Sequence, residues 1–117
     1  MIPLLFVIAA ALGGAARFVV EYRWPPVGQN AFPRATLAVN IAGSFILGLV
    51  FSAPSDTYLI IGTAFCGALT TFSGVSLQLQ KRSAAGAKAQ AFKYLLLLLI
   101  SGVSAAALGM WLGSFIL

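Results

Sequence analysis

Apolar and polar positions in this chain fall into long blocks rather than short periods. Apolar residues dominate positions 2–22, 35–53, 57–79 and 94–116. Each block is about the 20-residue length that lets a helix cross a bilayer. Trp24-Pro25-Pro26, Gly28, Asn30 and Pro33 separate the first two blocks with helix breakers and turn formers. Only Pro54-Ser55-Asp56 separates the second and third, so those segments are expected to be antiparallel neighbours. Lys81 to Lys93 reads as a basic loop before the last block. The pattern predicts an all-α membrane protein of four transmembrane helices, forming a single domain over residues 1–117.

The third block changes character at its middle. It is apolar to Leu69 and then reads Thr70-Thr71-Phe72-Ser73-Gly74-Val75-Ser76. Hydroxyl side chains and a glycine at this density can re-satisfy backbone groups where a helix breaks. Non-helical backbone at membrane depth survives only when buried in protein or lining a cavity. A third helix broken near its middle is therefore expected. Such a break exposes carbonyls that can hold a cation such as Na⁺, and N–H groups that can face an anion. Elsewhere, Ala105-x3-Gly109-x3-Gly113 and the Ser44/Gly48 pair place small residues on single helix faces, where another backbone can come close.

Composition excludes the alternatives. The chain has 117 residues, 61% of them apolar, with 8% charged and a mean hydropathy of +1.01. A soluble domain is about one-quarter charged, and disordered chains are poor in apolar residues. Histidine is absent, the only acids are Glu21 and Asp56, and Cys66 is the single cysteine. That leaves no usual general base, no intrachain disulfide and no natural carboxylate pair, so an enzyme is not expected. Residues 4–12 resemble a signal-peptide core followed by small residues at Gly13–Ala16. No positive region precedes them, so they read as a retained helix.

The net charge of +5 says less than its placement. With four spans, both termini and the 54–56 turn share one side, which carries Asp56 and no Lys or Arg. The opposite side holds Arg23, Arg34, Lys81, Arg82, Lys88 and Lys93. The positive-inside rule then makes loops 23–34 and 80–93 cytoplasmic and leaves both termini outside the cell membrane. Arg17 sits about a turn inside, either snorkelling to the interface or attracting anions into a vestibule. Asn40 needs partners in its apolar setting, across helices or along a wet path, and the path is the expected role. Phe72 can offer its positive ring edge to an anion, beside the Ser73 hydroxyl. Asn40, Ser73 and a ring edge suit a small anion that must replace its hydration shell.

Three stretches together carry a family resemblance. They are Gly13-Gly14-x2-Arg17; Thr36-Leu37-x-Val39-Asn40-x2-Gly43-Ser44-x3-Gly48; and Gly62-x2-Phe65-Cys66-Gly67-x2-Thr70-Thr71-Phe72-Ser73. Their order and spacing resemble the Fluc (CrcB-type) fluoride channel family over essentially the whole chain. The resemblance implies a passive fluoride-selective channel that exports cytoplasmic fluoride and relieves its toxicity. It also implies an antiparallel dimer of four-helix subunits with a structural Na⁺ at the dimer interface. By motif position, backbone carbonyls of Gly67 and Thr70 would hold the Na⁺. Asn40, Thr71, Phe72, Ser73 and, by a looser alignment, Tyr94 would line the fluoride path, with Arg17 at a vestibule.

Two features depart from that pattern. The family pattern continues Thr-Phe where this chain has Gly74 and Val75, which offer neither a hydroxyl nor a ring edge. A homodimer built antiparallel also needs a chain that inserts both ways, whereas the basic residues here are all on one side. The expected partner is thus a homologous chain of opposite orientation. Two other readings remain: a non-conducting structural partner that completes a heterodimeric channel, and a small multidrug-type proton-coupled exporter. The exporter would need a membrane-embedded acid, and Glu21 lies at the end of segment one.

Overall fold

A computed structural model describes residues 1–25, 33–84 and 86–117. The expected turn roles of Pro26, Gly28 and Asn30 lie outside the described residues. Helix α1 (Ile2–Arg23) carries Pro3 in its first turn, where a missing N–H breaks no helical bond. It ends as the Trp24 N–H bonds the Val20 carbonyl just ahead of Pro25. Helix α2 (Arg34–Leu49) follows Pro33. The third span is broken. Its first part, α3, covers residues 55–69 and its second, α4, is Ser73–Ala84; α5 (Lys88–Ile116) completes the chain. No strand occurs among the described residues.

Helix α3 is not uniform. Between short α-helical ends at Ser55–Thr57 and Gly67–Leu69, residues Tyr58–Cys66 wind as a π-helix. So long a wide-turned stretch is unusual, and such turns gather at functional sites. This one leads straight into the break.

Two expected boundaries are corrected. The second span stops at Leu49 rather than continuing to residue 53. The N–H groups of Val50, Phe51 and Ala53 turn back onto the carbonyls of Ile46, Gly48 and Val50, tightening the chain before Pro54. At 16 residues α2 is about 24 Å long, less than the ~30 Å hydrocarbon core. By length and apolar composition, Ile2–Arg23, Ser55–Ala84 and Lys88–Ile116 can each cross a membrane, and Arg34–Leu49 is a shorter apolar helix. The second correction concerns the basic loop at 80–93. It is mostly helix, because α4 runs to Ala84 and α5 starts at Lys88 rather than at Tyr94. Helices continue past the membrane face, and hydropathy marks only where the apolar part ends. The α4 terminus is closed by Ala87 N–H to the Arg82 carbonyl (2.8 Å) and Gly86 N–H to the Ser83 carbonyl (3.1 Å). Gly86 takes the left-handed φ of 81° that this Schellman closure requires.

The helices pack in two pairs, α2 on α5 and α1 on α3, while α4 rests on α5. The molecule measures 48 × 28 × 19 Å, so its thinnest direction is about two helix diameters. The interior consists mainly of small side chains such as Ala35, Val39, Ala64, Cys66 and Ala91, whereas Leu4, Val7, Phe18, Ile100 and Val103 face outward. That inversion suits a bilayer. Lipid gives helices no hydrophobic reason to associate, so close backbone packing must do it. The α2–α5 crossing shows how. A Cβ on Gly48 would meet the Ala106 carbonyl oxygen, and one on Gly109 or Gly113 would meet the carbonyls of Phe45 or Leu49. The small-residue spacings seen in the sequence are this seam.

Candidate functional site

The break is built by three side chains that redirect backbone hydrogen bonds. Thr70 leaves the helix in an extended conformation (φ −81°, ψ 160°). Its N–H makes the last helical bond, to the Cys66 carbonyl, and its Oγ1 donates to the same oxygen at 2.9 Å. The next N–H, of Thr71, donates to Asn40 Oδ1 at 2.9 Å, and Asn40 Nδ2 returns a bond to the Thr71 carbonyl at 3.1 Å. Thr71 then starts the following helix. Its Oγ1 accepts the Gly74 N–H at 3.0 Å, the geometry of an N-cap, and lies 3.2 Å from Ser73 Oγ.

The consequence follows from helix bookkeeping. In an unbroken helix, the Thr71 N–H would bond the Gly67 carbonyl and the Gly74 N–H would bond the Thr70 carbonyl. Asn40 takes the first donor and the Thr71 hydroxyl takes the second. The carbonyls of Gly67 and Thr70 are thereby released from the helical ladder. Arg17 Nη1 donates to the Thr70 oxygen at 3.4 Å, a long bond that places a guanidinium against the break.

Two clefts approach this point from opposite ends of α2. The larger, about 410 Å³ and open-sided, is lined by Asn40, Gly43, Ser44, Thr63, Gly67 and Thr70 among others, and extends toward the 50–54 turn. The smaller, about 190 Å³, is lined by Thr36, Gly74, Gln78, Glu21 and Trp24 and opens toward the loop side. Asn40 lines the larger cleft, and Thr36, one turn earlier on α2, lines the smaller. Each cleft mixes polar groups (Asn40, Ser44, Thr63 and Thr70 in the larger; Glu21, Thr36 and Gln78 in the smaller) with apolar side chains such as Leu47 and Tyr58 in the first and Trp24 and Leu77 in the second.

The structure thus brings Arg17, Asn40, Gly67, Thr70, Thr71 and Ser73 together. Phe72 lies in the break, but its ring is 81% exposed and points out of the subunit. Tyr94 stands apart from the break. It is 1% exposed, packed beneath the Arg82 guanidinium (5.9 Å to the ring centroid), with Thr36 beside its hydroxyl. Thr36 lies one helical turn before Asn40 on the same α2 face, so Tyr94 is linked to the site through that turn. Val75 is buried at 5% exposure and contributes to neither cleft, while Gly74 lines the smaller one with bare backbone. The sequence pattern assigns no site role to Thr36, Ser44, Gln78 or Arg82, reading Ser44 as helix packing and Arg82 as a topology charge. The i, i+4 spacing Thr36–Asn40–Ser44 was the available signal for the first two. Glu21 lines the loop-side mouth, away from the break.

Comparison with known proteins agrees with this architecture. Residues 4–110 match the family model described as CrcB-like protein, Camphor Resistance (CrcB). The chain belongs to the CrcB family. Among similar proteins, one from Synechococcus sp. (strain CC9902), named fluoride-specific ion channel FluC 2, is 37% identical over 93% of this chain and 77% of its own. A FluC 2 of Mycobacterium tuberculosis (strain ATCC 25618 / H37Rv) is 33% identical over 90% of this chain and 85% of its own. A FluC of Chelativorans sp. (strain BNC1) is 32% identical over 97% of both chains. This CrcB-family chain is accordingly a multi-pass membrane protein. Its broken third span and the Asn40 bridge fall within the matched residues.

Proposed function

We propose that this chain is a subunit of a passive fluoride channel in the cell membrane, releasing cytoplasmic fluoride and relieving its toxicity. Its relatives are named fluoride-specific ion channels, which also argues against an enzyme. The observation that carries the reading is the Asn40–Thr71 bridge at the break, beside clefts that reach α2 at Asn40 and, one turn earlier, at Thr36. A small anion leaving water needs donors fixed in place, because stripping its shell without replacement is prohibitive. Asn40 Nδ2, the Ser73 and Thr71 hydroxyls and the outward edge of Phe72 supply them, with Arg17 adding positive charge at the break. Tyr94 supports the loop-side end through Thr36.

The partner is an oppositely oriented homologous chain, giving an antiparallel dimer. Three features support this. The larger cleft is open-sided, Phe72 projects away from its own subunit, and every basic residue outside α1's interior falls on one side of the four-span topology. Relatives numbered FluC 1 and FluC 2 fit organisms with two related chains. Segments 23–34 and 80–93 then face the cytoplasm and both termini face out. The carbonyls of Gly67 and Thr70 suit a structural Na⁺ at the dimer interface. They are hard oxygen donors released from helix bonding, and no His, Cys, Asp or Glu cluster offers a competing metal site among the described residues. Hard cations gather several oxygens, so a second chain's break would complete the set.

Gly74 and the buried Val75 favour a second reading, a non-conducting partner that only completes another subunit's pore. Fluoride efflux from liposomes separates the two. The channel reading expects efflux with this chain and its oppositely biased homologue together and none with this chain alone. Efflux from this chain alone overturns the heterodimer. Within the assembled pair, loss of flux in Asn40→Leu assigns conduction to this half, and unchanged flux assigns it to the partner's half.

A further inference from the structure

Arg17 and the proposed cation have claims on the same oxygen. The Thr70 carbonyl is available because Thr71 Oγ1 has taken the Gly74 N–H, and the group that reaches it is the Arg17 guanidinium, at 3.4 Å. Arg17 is half-buried, about two turns before the end of α1, and α1 packs along α3 up to the break. A buried guanidinium is costly unless hydrogen-bonded, and a backbone carbonyl freed from a helix is a strong acceptor for it. A metal cation at the Gly67 and Thr70 carbonyls would therefore stand within a few ångströms of a fixed positive charge. At that range, and in partly buried surroundings, like charges repel far more strongly than in water.

We infer that Arg17 is a built-in competitor of the cation site, holding the Thr70 carbonyl when the ion is absent and releasing it when the ion binds. The inference rests on the Na⁺ reading above and gives it a direction. The break has two settings. In one, the guanidinium closes the carbonyl set; in the other, Na⁺ takes the carbonyls and Arg17 swings toward the loop-side cleft. Arg17 thus acts as a positioning residue through the Thr70 carbonyl, independently of any direct contact with fluoride.

The test is the Na⁺ dependence of thermal unfolding, measured on the assembled channel in detergent with N-methylglucamine replacing Na⁺ at constant ionic strength. An ion that binds only the folded state raises the unfolding temperature as its concentration exceeds its dissociation constant, so the midpoint reports affinity. Arg17→Gln, which keeps a donor but removes the charge, is expected to lower the Na⁺ midpoint by roughly tenfold, as a lost charge–charge repulsion of about 1.4 kcal/mol would. Arg17→Lys retains the charge without the planar fork and is expected to fall between the two. A wild-type channel indifferent to Na⁺ beside an Arg17→Gln channel stabilised by it would be the strongest support. Equal midpoints, or a weaker one in Arg17→Gln, overturn the competition while leaving the Na⁺ site standing. Should neither channel respond to Na⁺, the Na⁺ reading fails and the inference falls with it. If Arg17→Gln does not assemble, the comparison of wild type with Arg17→Lys decides in the same way.

Discussion

Helix α2 makes two contacts of opposite kinds, two turns apart. At Gly48 it meets α5 with nothing but backbone, in a seam where Gly109 and Gly113 let carbonyl oxygens pass at van der Waals distance. At Asn40 it meets the broken span with a side chain whose amide is engaged on both ends by Thr71. The seam works by absence of side chains and tolerates no addition. The bridge works by two directional bonds and tolerates no loss. One contact holds the subunit together; the other shapes a polar site, and it does so by diverting hydrogen bonds that a regular helix would have kept. Stability and function are thereby separated along a single 16-residue helix.

The largest effect should come from filling the seam. Gly109→Leu places a side chain against the Phe45 carbonyl and the Leu49 amide, which are backbone and cannot rotate away. Overpacking typically costs about 1–3 kcal/mol, and this site belongs at or above the upper end. Loss of a monodisperse peak in detergent is expected, whereas Val103→Leu on the exposed face of the same helix should behave as wild type. A folded Gly109→Leu subunit would show that the seam is looser than its geometry.

Asn40→Leu should do the reverse, sparing the fold and damaging the site. It leaves the Thr71 N–H and carbonyl without the amide that pairs them, and because both bonds are only partly buried each loss costs about 0.5–1.5 kcal/mol. Helicity by circular dichroism should stay near wild type. Fluoride efflux through the assembled pair should fall more than about tenfold if this half conducts. Collapse of the fold instead would merge the two contacts into one, and the proposed division along α2 would be lost.

Much of this was legible in the residues, and the exceptions share a cause. The run Thr70 to Ser73 announced a break because hydroxyls that can accept or donate locally are what a freed backbone needs. The small-residue spacing in α5 announced the seam because only such faces permit close approach. Asn40 is expected along a path, and what the structure gives it is bonds across helices, to the Thr71 N–H and carbonyl, a distinction that depends on where Thr71 sits. The π-helical stretch Tyr58–Cys66 had no signal, since Tyr-Leu-Ile-Ile-Gly-Thr-Ala-Phe-Cys would serve equally in an α-helix. The helical character of 80–93 was hidden by its charge. Hydropathy reports contact with lipid, and Lys81, Lys88 and Lys93 decorate helix ends outside it. Arg82 was read as one more loop charge, yet it is buried on the Tyr94 ring.

A finer dissection of the break uses Thr71, whose backbone and hydroxyl serve different partners. Thr71→Val keeps the backbone bonds to Asn40 and the β-branched shape but removes the acceptor for the Gly74 N–H. Loss of such a cap costs about 1 kcal/mol. Thr71→Ser keeps the acceptor and should cost far less. If Val lowers the unfolding temperature and Ser does not, the hydroxyl is the start of α4. Equal behaviour of the two would leave α4 to be held by its packing on α5 alone.

The smallest effect expected lies outside both contacts, at the closure of α4. Gly86 adopts φ 81°, which any side chain resists, and its N–H and that of Ala87 satisfy the last carbonyls of the helix. Gly86→Ala should therefore destabilise by about 1 kcal/mol, with no neighbouring atoms to clash against a Cβ there. Fluoride flux should be unchanged, because the turn touches neither cleft. This variant measures how far the break depends on its surroundings. Arg82, whose carbonyl accepts the Ala87 N–H, also lies on Tyr94, and Tyr94 adjoins Thr36 one turn from Asn40. If so mild a change at Gly86 did reduce flux, the turn would be transmitting through that chain of contacts, and the site would extend from the break to the N-terminal end of α5.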